Sequence, residues 1–179
     1  ALTDNVASLL GGGAQVDTGS TLEATRTTFE GNQSVSGGAL FNLGTTELVN
    51  TTISGNRASD VGGAIRTNSA AATLTVRNST VTNNQAGVEG GGIAEAGSQL
   101  ARLQNTIVAA NTSTIADDVS GSFTDDGNNL IGSSEGATGF TRSQFVGTAT
   151  NPVNPQLAPL ADNGGPTKTH LLLPTSVAV

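Results

Sequence analysis

Apolar residues in the first two thirds of this chain come in short alternating groups, and the groups recur. From Thr45 to Ile65 the chain reads TTELVNTTISGNRASDVGGAI: Leu48 and Val49, then Asn50, an isolated Ile53 among threonine and serine, Gly55, Asn56, and after a polar excursion Gly62, Gly63, Ala64 and Ile65. The same order returns downstream as Val76, Asn78, Ser79, Thr80, Val81, Asn83, Asn84, Gly90, Gly91, Gly92 and Ile93. Upstream it appears as Thr27, Thr28, Phe29, Gly31, Asn32, Gly37, Gly38, Ala39 and Leu40, and a further copy begins at Leu103 with Asn105, Thr106, Val108 and Asn111. Asn32, Asn56, Asn84 and Asn111 are separated by 24, 28 and 27 residues.

A period in the twenties indicates a solenoid. No unit holds a ten-residue run with apolar residues at helical spacing, and the units are rich in Thr, Val, Ile, Asn and Gly, so helix is disfavoured. Two or three segments of alternating polarity per unit, broken by Gly or Asn, predict strands of about three to five residues. Three strands and three bends per turn of chain make an all-β, right-handed parallel β-helix of about four to five coils. When coils stack ~4.8 Å apart, equivalent residues form files. Asn32, Asn56, Asn84 and Asn111 are then a structural asparagine ladder, each amide donating to the carbonyl one coil away at a corner that tolerates left-handed backbone. The Gly-Gly element fits a corner needing positive φ, or a backbone too close to its neighbour for a Cβ. Phe29, Ile53, Val81 and Val108 point inward.

The ends depart from the pattern. Gly12, Gly13 and Ala14 sit 25 residues before Gly37, Gly38 and Ala39 and read as the tail of an earlier coil, with Leu22 and Ala24 opening the next. The chain thus begins in mid-pattern, and further coils are expected before Ala1. Arg26 occupies the place of Asn50, Asn78 and Asn105, an exposed guanidinium at an edge coil. Residues 1–111 form the β-helix coils; residues 112–179 form divergent last coils and an irregular C-terminal cap of the same domain, which holds all five prolines. A divergent end is what a solenoid needs to cover its last row of strand groups.

Composition narrows the function. Hydrophobic residues make up 35% of the 179, enough for one continuous column because the coils align, and 24 glycines suit many corners. With no cysteine there is no disulfide or thiolate metal site, and the absence of any methionine marks the chain as a processed or excised piece. Seven basic against fourteen acidic residues leave −7, which disfavours nucleic acid and anionic membrane surfaces. No apolar stretch reaches the length of a membrane span. Few charges, with Thr, Ser and Asn supplying polarity, are a habit of extracellular and cell-surface proteins.

A resemblance rests on the Asn-Ser/Thr-Thr-Ile/Val coils with Gly-Gly-Ala/Gly-Ile, on Asp118-Val119-Ser120-Gly121, on Gly127-Asn128-Asn129-Leu130-Ile131-Gly132, and above all on Pro159-Leu160-Ala161-Asp162-Asn163-Gly164-Gly165-Pro166-Thr167 with Thr169-His170. Across nearly the whole chain these resemble the choice-of-anchor Q domain, a group of bacterial surface proteins with pectate-lyase-like right-handed β-helices, held to the cell by one of several C-terminal anchors. The coil motifs are shared with polymorphic outer-membrane proteins. The family closes with Ser-Pro-Ala-Ile-Asp where this chain has Ser176, Val177, Ala178 and Val179. The resemblance implies surface attachment.

Candidate chemistry is sparse. Asp117 with Asp118, Asp125 with Asp126, and Asp162 are the carboxylates a glycosidase or lyase would draw on, but adjacent strand residues face opposite ways, so neither doublet is a catalytic pair and both read as solvated turns. Arg57, Arg66, Arg77 and Arg102 form no obvious column, though Arg66 and Asp60 are candidates to share a face. Asp125 and Asp126, in Asp-Asp-Gly-Asn, are the candidate calcium ligands, without the spacing of an EF-hand. His170 is the lone histidine, without an evident partner. Thr28, Thr52 and Thr80 form one threonine file, broken by Ile107 and too narrow for ice. The expectation is a non-catalytic extracellular or cell-surface structural or adhesive module with no resident cofactor. Its partners are further copies, joined end to end through the apolar Leu171 to Val179 into a fibre or layer, or surface glycans; the alternative is a carbohydrate-active β-helix of lyase or hydrolase type.

Overall fold

In the computed structural model, which describes residues 1–96, 101–141 and 143–179, the chain winds into an all-β solenoid of about five turns whose stacked strands are parallel. One sheet stacks Leu2–Thr3, Thr28–Glu30, Thr52–Ser54, Thr80–Thr82, Ile107–Ala109 and Leu130–Ile131 in that order; it is called the front sheet below. A second file stacks Ala14–Val16, Leu40–Asn42, Ile65–Thr67 and Ile93–Glu95, and a third stacks Thr21–Thr25, Thr45–Val49, Thr73–Arg77 and Ala101–Gln104. The seven-residue strand Val119–Asp125 runs under both and joins them into one sheet.

Register follows the apolar pattern. Leu2, Phe29, Ile53, Val81, Val108 and Ile131 pair in turn, and Phe29 to Ile131 are buried with at most 1% exposure. The inward column expected from sequence is therefore in place, and the other sheet contributes Leu40, Ile65, Ile93 and Val119 beside Leu48, Leu74, Val76 and Leu103. The N-terminal glycines align one residue differently from the sequence spacing: Ala14 pairs with Leu40, so Gly12 stacks on Gly38 and the offset is 26. The reason is the backbone, because Gly11 and Gly37 share the left-handed corner, at φ 57° and 68°.

The Gly-Gly element does both jobs considered for it. Gly37, Gly62 and Gly90 have positive φ. The following Gly38 and Gly63 are pressed against the next coil, where a Cβ would lie 2.1 and 2.2 Å from the carbonyl oxygens of Gly63 and Gly91. Two further corners are left-handed. Arg26, Asn50, Asn78, Asn105 and Asn128 have φ between 49° and 59° and precede the front sheet. Asp4, Gly31, Gly55, Asn83 and Ala110 leave it, with φ between 54° and 68°. Gly, Asn and Asp tolerate this conformation; Arg26 and Ala110 are the two residues in these columns that do not.

Between the front sheet and the Gly-Gly corner lies a ridge built from short excursions. Gln33, Arg57 and Gln85 pair through the small sheet Gln33–Ser34, Arg57–Ala58, Gln85–Ala86, extended by bridges to Val6 above and Thr112 below. Two or three residues on, backbone hydrogen bonds of 2.9–3.1 Å link Leu9, Val35, Asp60, Val88 and Ile115 into a second file along the ridge.

Past the last coil, Phe140 stacks at 5.3 Å on Phe123, and Val146 bridges Ile131. The chain then forms an antiparallel ribbon, with bridges Leu157 to Leu172 and Ala161 to Thr169. This ribbon turns back along the outer face of the front sheet. Its Lys168 reaches Glu30, and His170 reaches Ser54 one coil further on. Thr28 and Thr52 are consequently covered, at 1% and 5% exposure, while Thr80 is half-buried, and the file presents no flat array to ice.

Because Ala110 is exposed at φ 59°, replacing it with glycine relieves a left-handed Cβ without disturbing packing. Ala110→Gly is expected to raise unfolding stability by about 1 kcal/mol in a urea titration; a loss of stability would contradict the assigned corner.

Candidate functional site

The buried polar centre of the molecule is the asparagine file. Asn32, Asn56, Asn84 and Asn111 are 0–3% exposed. Each Nδ2 donates to the Oδ1 of the next rung: Asn32 to Asn56, Asn56 to Asn84 and Asn84 to Asn111, all at 2.9 Å. The same Oδ1 accepts the backbone N–H of the preceding rung at 2.9–3.0 Å. The second Nδ2 hydrogen is taken by a backbone carbonyl one coil back, that of Leu2, Phe29, Ile53 or Val81. The expected ladder is thus fully bonded, but the left-handed backbone belongs to the residue before each rung. Asn5, exposed, heads the file by donating to Asn32 at 2.8 Å.

The file ends on a charge. Asn111 donates both its backbone N–H and its Nδ2 to Asp118 Oδ1 at 2.9 Å, and Ser133 N–H donates to Asp118 Oδ2 at 2.8 Å. Asp118 is 3% exposed, which corrects the expectation of a solvated turn residue. Its backbone sits in the column of Gly13, Ala39, Ala64 and Gly92, where small side chains line the file. A carboxylate there occupies the space of the next coil's missing amide. Burial pushes its carboxyl up to about 6, against the pull of the Asn111 and Ser133 hydrogen bonds, with the neighbouring Asp117 adding to the rise. Asp117 itself is exposed and accepts from Ser113 N–H, so the two carboxylates of the doublet point apart. A second file, of hydroxyls, runs parallel: Thr51 N–H to Ser79 Oγ, Ser79 N–H to Thr106 Oγ1, and Thr106 N–H to Asn129 Oδ1. The Thr-Thr, Ser-Thr and Thr-Ile pairs after Asn50, Asn78 and Asn105 were its signal in the sequence.

The candidate calcium ligands are each engaged with protein. Asp125 Oδ1 accepts from Gly127 N–H at 2.9 Å and from Asn129 Nδ2 at 2.6 Å. Asp126 takes a forked pair from Arg102, at 2.5 and 3.0 Å. A cation at this turn has to compete with a guanidinium, and no group of three metal-ligating side chains occurs among the described residues. Of the other basic candidates, Arg77 pairs with Glu47 at 2.6 Å and Arg66 donates to Asn68.

His170 does have a partner. Its Nδ1 lies 2.6 Å from the Ala158 carbonyl and so donates to it, and Nε2 shares a hydrogen bond with Ser54 Oγ at 3.0 Å. Serine, histidine and an orienting acceptor are the elements of a nucleophile and base, yet Ser54 is 4% exposed beneath the ribbon. The contact acts as a clasp, together with Thr28 Oγ1 donating to the Lys168 carbonyl and the Lys168 to Glu30 ion pair at 2.9 Å. Leu171 to Val179 also lies along this chain's own front face, although Leu171, Leu172, Leu173, Val177 and Val179 stay 38–82% exposed.

Where the ribbon leaves the last coils, a groove of about 680 Å³ opens between it and the asparagine corner. Asn78, Asn105, Asn128, Thr80, Thr141 and Asp125 supply its polar wall, and Phe145, Leu172 and Val177 its apolar wall. Among the described residues lining it, Asp125 alone carries a side-chain carboxylate. Two-carboxylate glycosidic chemistry needs a second one about 5–9.5 Å away. The groove can present amides and hydroxyls to a polar ligand, which is binding chemistry.

Residues 26–43 and 50–68 match the model of the Chlamydia polymorphic membrane protein repeat. The two matched stretches are equivalent pieces of successive coils, each running from a left-handed corner, through the front sheet and the ladder asparagine, to the second file. No curated protein and no solved structure matches the chain.

Asp118 makes stability depend on pH in a defined direction. Its folded value of about 6 lies above an ordinary 3.8, so its contribution is full below 3.8 and is lost as pH rises to about 6. That difference amounts to roughly 3 kcal/mol. The wild type minus Asp118→Asn difference in unfolding free energy is expected to fall by that order between pH 4 and pH 7; a flat difference would refute the buried carboxyl. For the turn at Asp125 and Asp126, added calcium is expected to leave the melting temperature unchanged. A rise of several degrees that Asp126→Asn abolishes would establish a site there.

Proposed function

We propose that this protein is a non-catalytic structural or adhesive module displayed on the outside of a bacterial cell, of the choice-of-anchor Q kind. The observation that carries the reading is the match of two successive coils to a repeat of chlamydial polymorphic membrane proteins. The internal chemistry supports it. The asparagine and hydroxyl files, Asp118 and the His170 clasp are all bonded within the fold. What they accomplish is stiffness: a rod whose coils are cross-bonded at every corner holds its outer surface away from its anchor with little flexing.

The groove favours one refinement, glycan binding without cleavage. Its amides and hydroxyls beside Phe145 suit the alternating polar and apolar faces of a sugar, while its single described side-chain carboxylate does not suit two-carboxylate hydrolysis.

Lys168 is the sole lysine, half exposed on the ribbon, and gives a direct test. A membrane-impermeant amine reagent applied to intact cells making the full-length protein is expected to label the peptide containing Lys168. Labelling only after lysis would overturn surface display. With uronate polymers, no unsaturated product absorbing in the ultraviolet is expected; steady release would return the protein to the lyases.

A further inference from the structure

The ridge beside the front sheet carries exposed side chains that the solenoid does not use. Val6 is 76% exposed, Leu9 61%, Val88 40% and Ile115 63%. Val6 heads one file and Leu9 the other, Val88 and Ile115 are the last two rungs of the second file beside Gln85 and Thr112 of the first, and at mid-height, in the same coil, the files carry Arg57 and Asp60. Both are exposed, and among the described residues neither has a side-chain hydrogen bond or ion pair, whereas Arg77, Arg102 and Lys168 each do. A ridge with Val6 and Leu9 at one end, Val88 and Ile115 along the other half of one file, and an unpaired cation and an unpaired anion in the same coil at mid-height is a surface that complements itself.

We propose that this ridge pairs with the same ridge of a second copy, the two solenoids lying side by side and parallel. The orientation follows from the charges. A two-fold axis parallel to the solenoid axis exchanges the two files at constant height, so Arg57 of each copy meets Asp60 of the other, and Val6 meets Leu9 at one end. An axis perpendicular to the solenoid in the plane of contact would set each file against itself and bring Asp60 onto Asp60. Like charges facing each other at mid-interface disfavour that alternative. The copies then point the same way, which suits molecules standing on one surface.

Five rungs ~4.8 Å apart make a strip only about 20 Å tall, and a strip of that height and two side chains wide covers less than the ~800 Å² per partner of a standard stable interface. The pairing is therefore weak in free solution and becomes effective where copies are held close together, since tethering raises local concentration to about the millimolar range. It differs from joining through Leu171 to Val179, which would lengthen a fibre; the two-fold pairing of one ridge with itself closes at a dimer. The inference rests on surface display only for its biological setting, and the pairing itself is read on purified protein.

Sedimentation equilibrium at low salt, up to about 1 mM, reads the association in the range expected for so small an interface. The wild-type mass is expected to rise from monomer toward dimer. Asp60→Arg and Arg57→Asp should each reduce association at least tenfold, and the double exchange should restore it, because it rebuilds the pair with its signs reversed. Val88→Lys should also weaken it. All three positions are exposed, and far-ultraviolet circular dichroism checks that the variants stay folded. The chain has no cysteine, so orientation is readable too: a mixture of Val6→Cys and Leu9→Cys proteins should form mixed disulfide dimers, and a mixture of Leu9→Cys and Ile115→Cys should not. A monomer throughout overturns the proposal. So does a dimer indifferent to Asp60→Arg and Val88→Lys, or single exchanges that the double exchange fails to rescue.

Discussion

Everything in this solenoid depends on the buried asparagine file being bonded at every rung. Stacked coils put a corner's backbone N–H and carbonyl groups out of reach of water, where each one left unbonded costs about 1–3 kcal/mol. One amide per coil solves this four ways at once: its oxygen takes two donors from the coil before, and its nitrogen serves the coil after and a carbonyl behind. A rung therefore cannot be changed without stranding groups on both neighbours. That is why the period of asparagine is kept although the lengths of the excursions between rungs differ.

Such a file has a direction. Every amide donates toward the C-terminal end, so the two ends have opposite needs: an acceptor beyond Asn111, and a donor before Asn5. The first is met by Asp118, an acceptor with no hydrogen to place, as carboxylates meet the free N–H groups at the start of a helix. The cost is a charge held at 3% exposure. A neutral asparagine in its place would still accept from Asn111 but would turn an NH₂ group toward the N–H of Ser133, so the charge is the consequence of ending the file inside the protein.

The β-helix, its inward column, the ladder and the Gly-Gly corner were legible in the sequence because a solenoid writes each constraint several times over. A single Asn-Thr-Thr-Ile run means little; three in register at near-constant spacing identify a coil. What happens once was not legible. Asp118 lies seven residues after Asn111 and replaces the next rung from a different column, so it looks like half of an acidic turn. His170 and Ser54 are 116 residues apart and meet only because the ribbon turns back. The one-residue error at Gly12 arose because apolar spacing fixes register only to the nearest plausible match, whereas the left-handed corner fixes it to the residue. Likewise the threonine file read as exposed because a strand's outer face is assumed to meet water until something covers it.

The cover also explains why function has to be sought elsewhere than in the repeat. On the front sheet the outer residues grade from Thr28 and Thr52 at one end to Ile107 and Leu130 at the other. The overlying ribbon is matched to the gradient: it bonds through Lys168 and His170 over the hydroxyls and comes down with Leu172 and Val177 by the apolar end. The repeated order of the coil is in this way consumed by architecture on its inner face and by the ribbon on its front face. Freedom remains where coils differ from one another, in the ridge excursions of unequal length and in the groove at the last corner. Arg57 and Asp60 occur in one coil only, and no neighbouring coil repeats their charges. In a protein made of copies, a residue that is not copied, is exposed and has no partner within the fold is placed where another molecule can supply one.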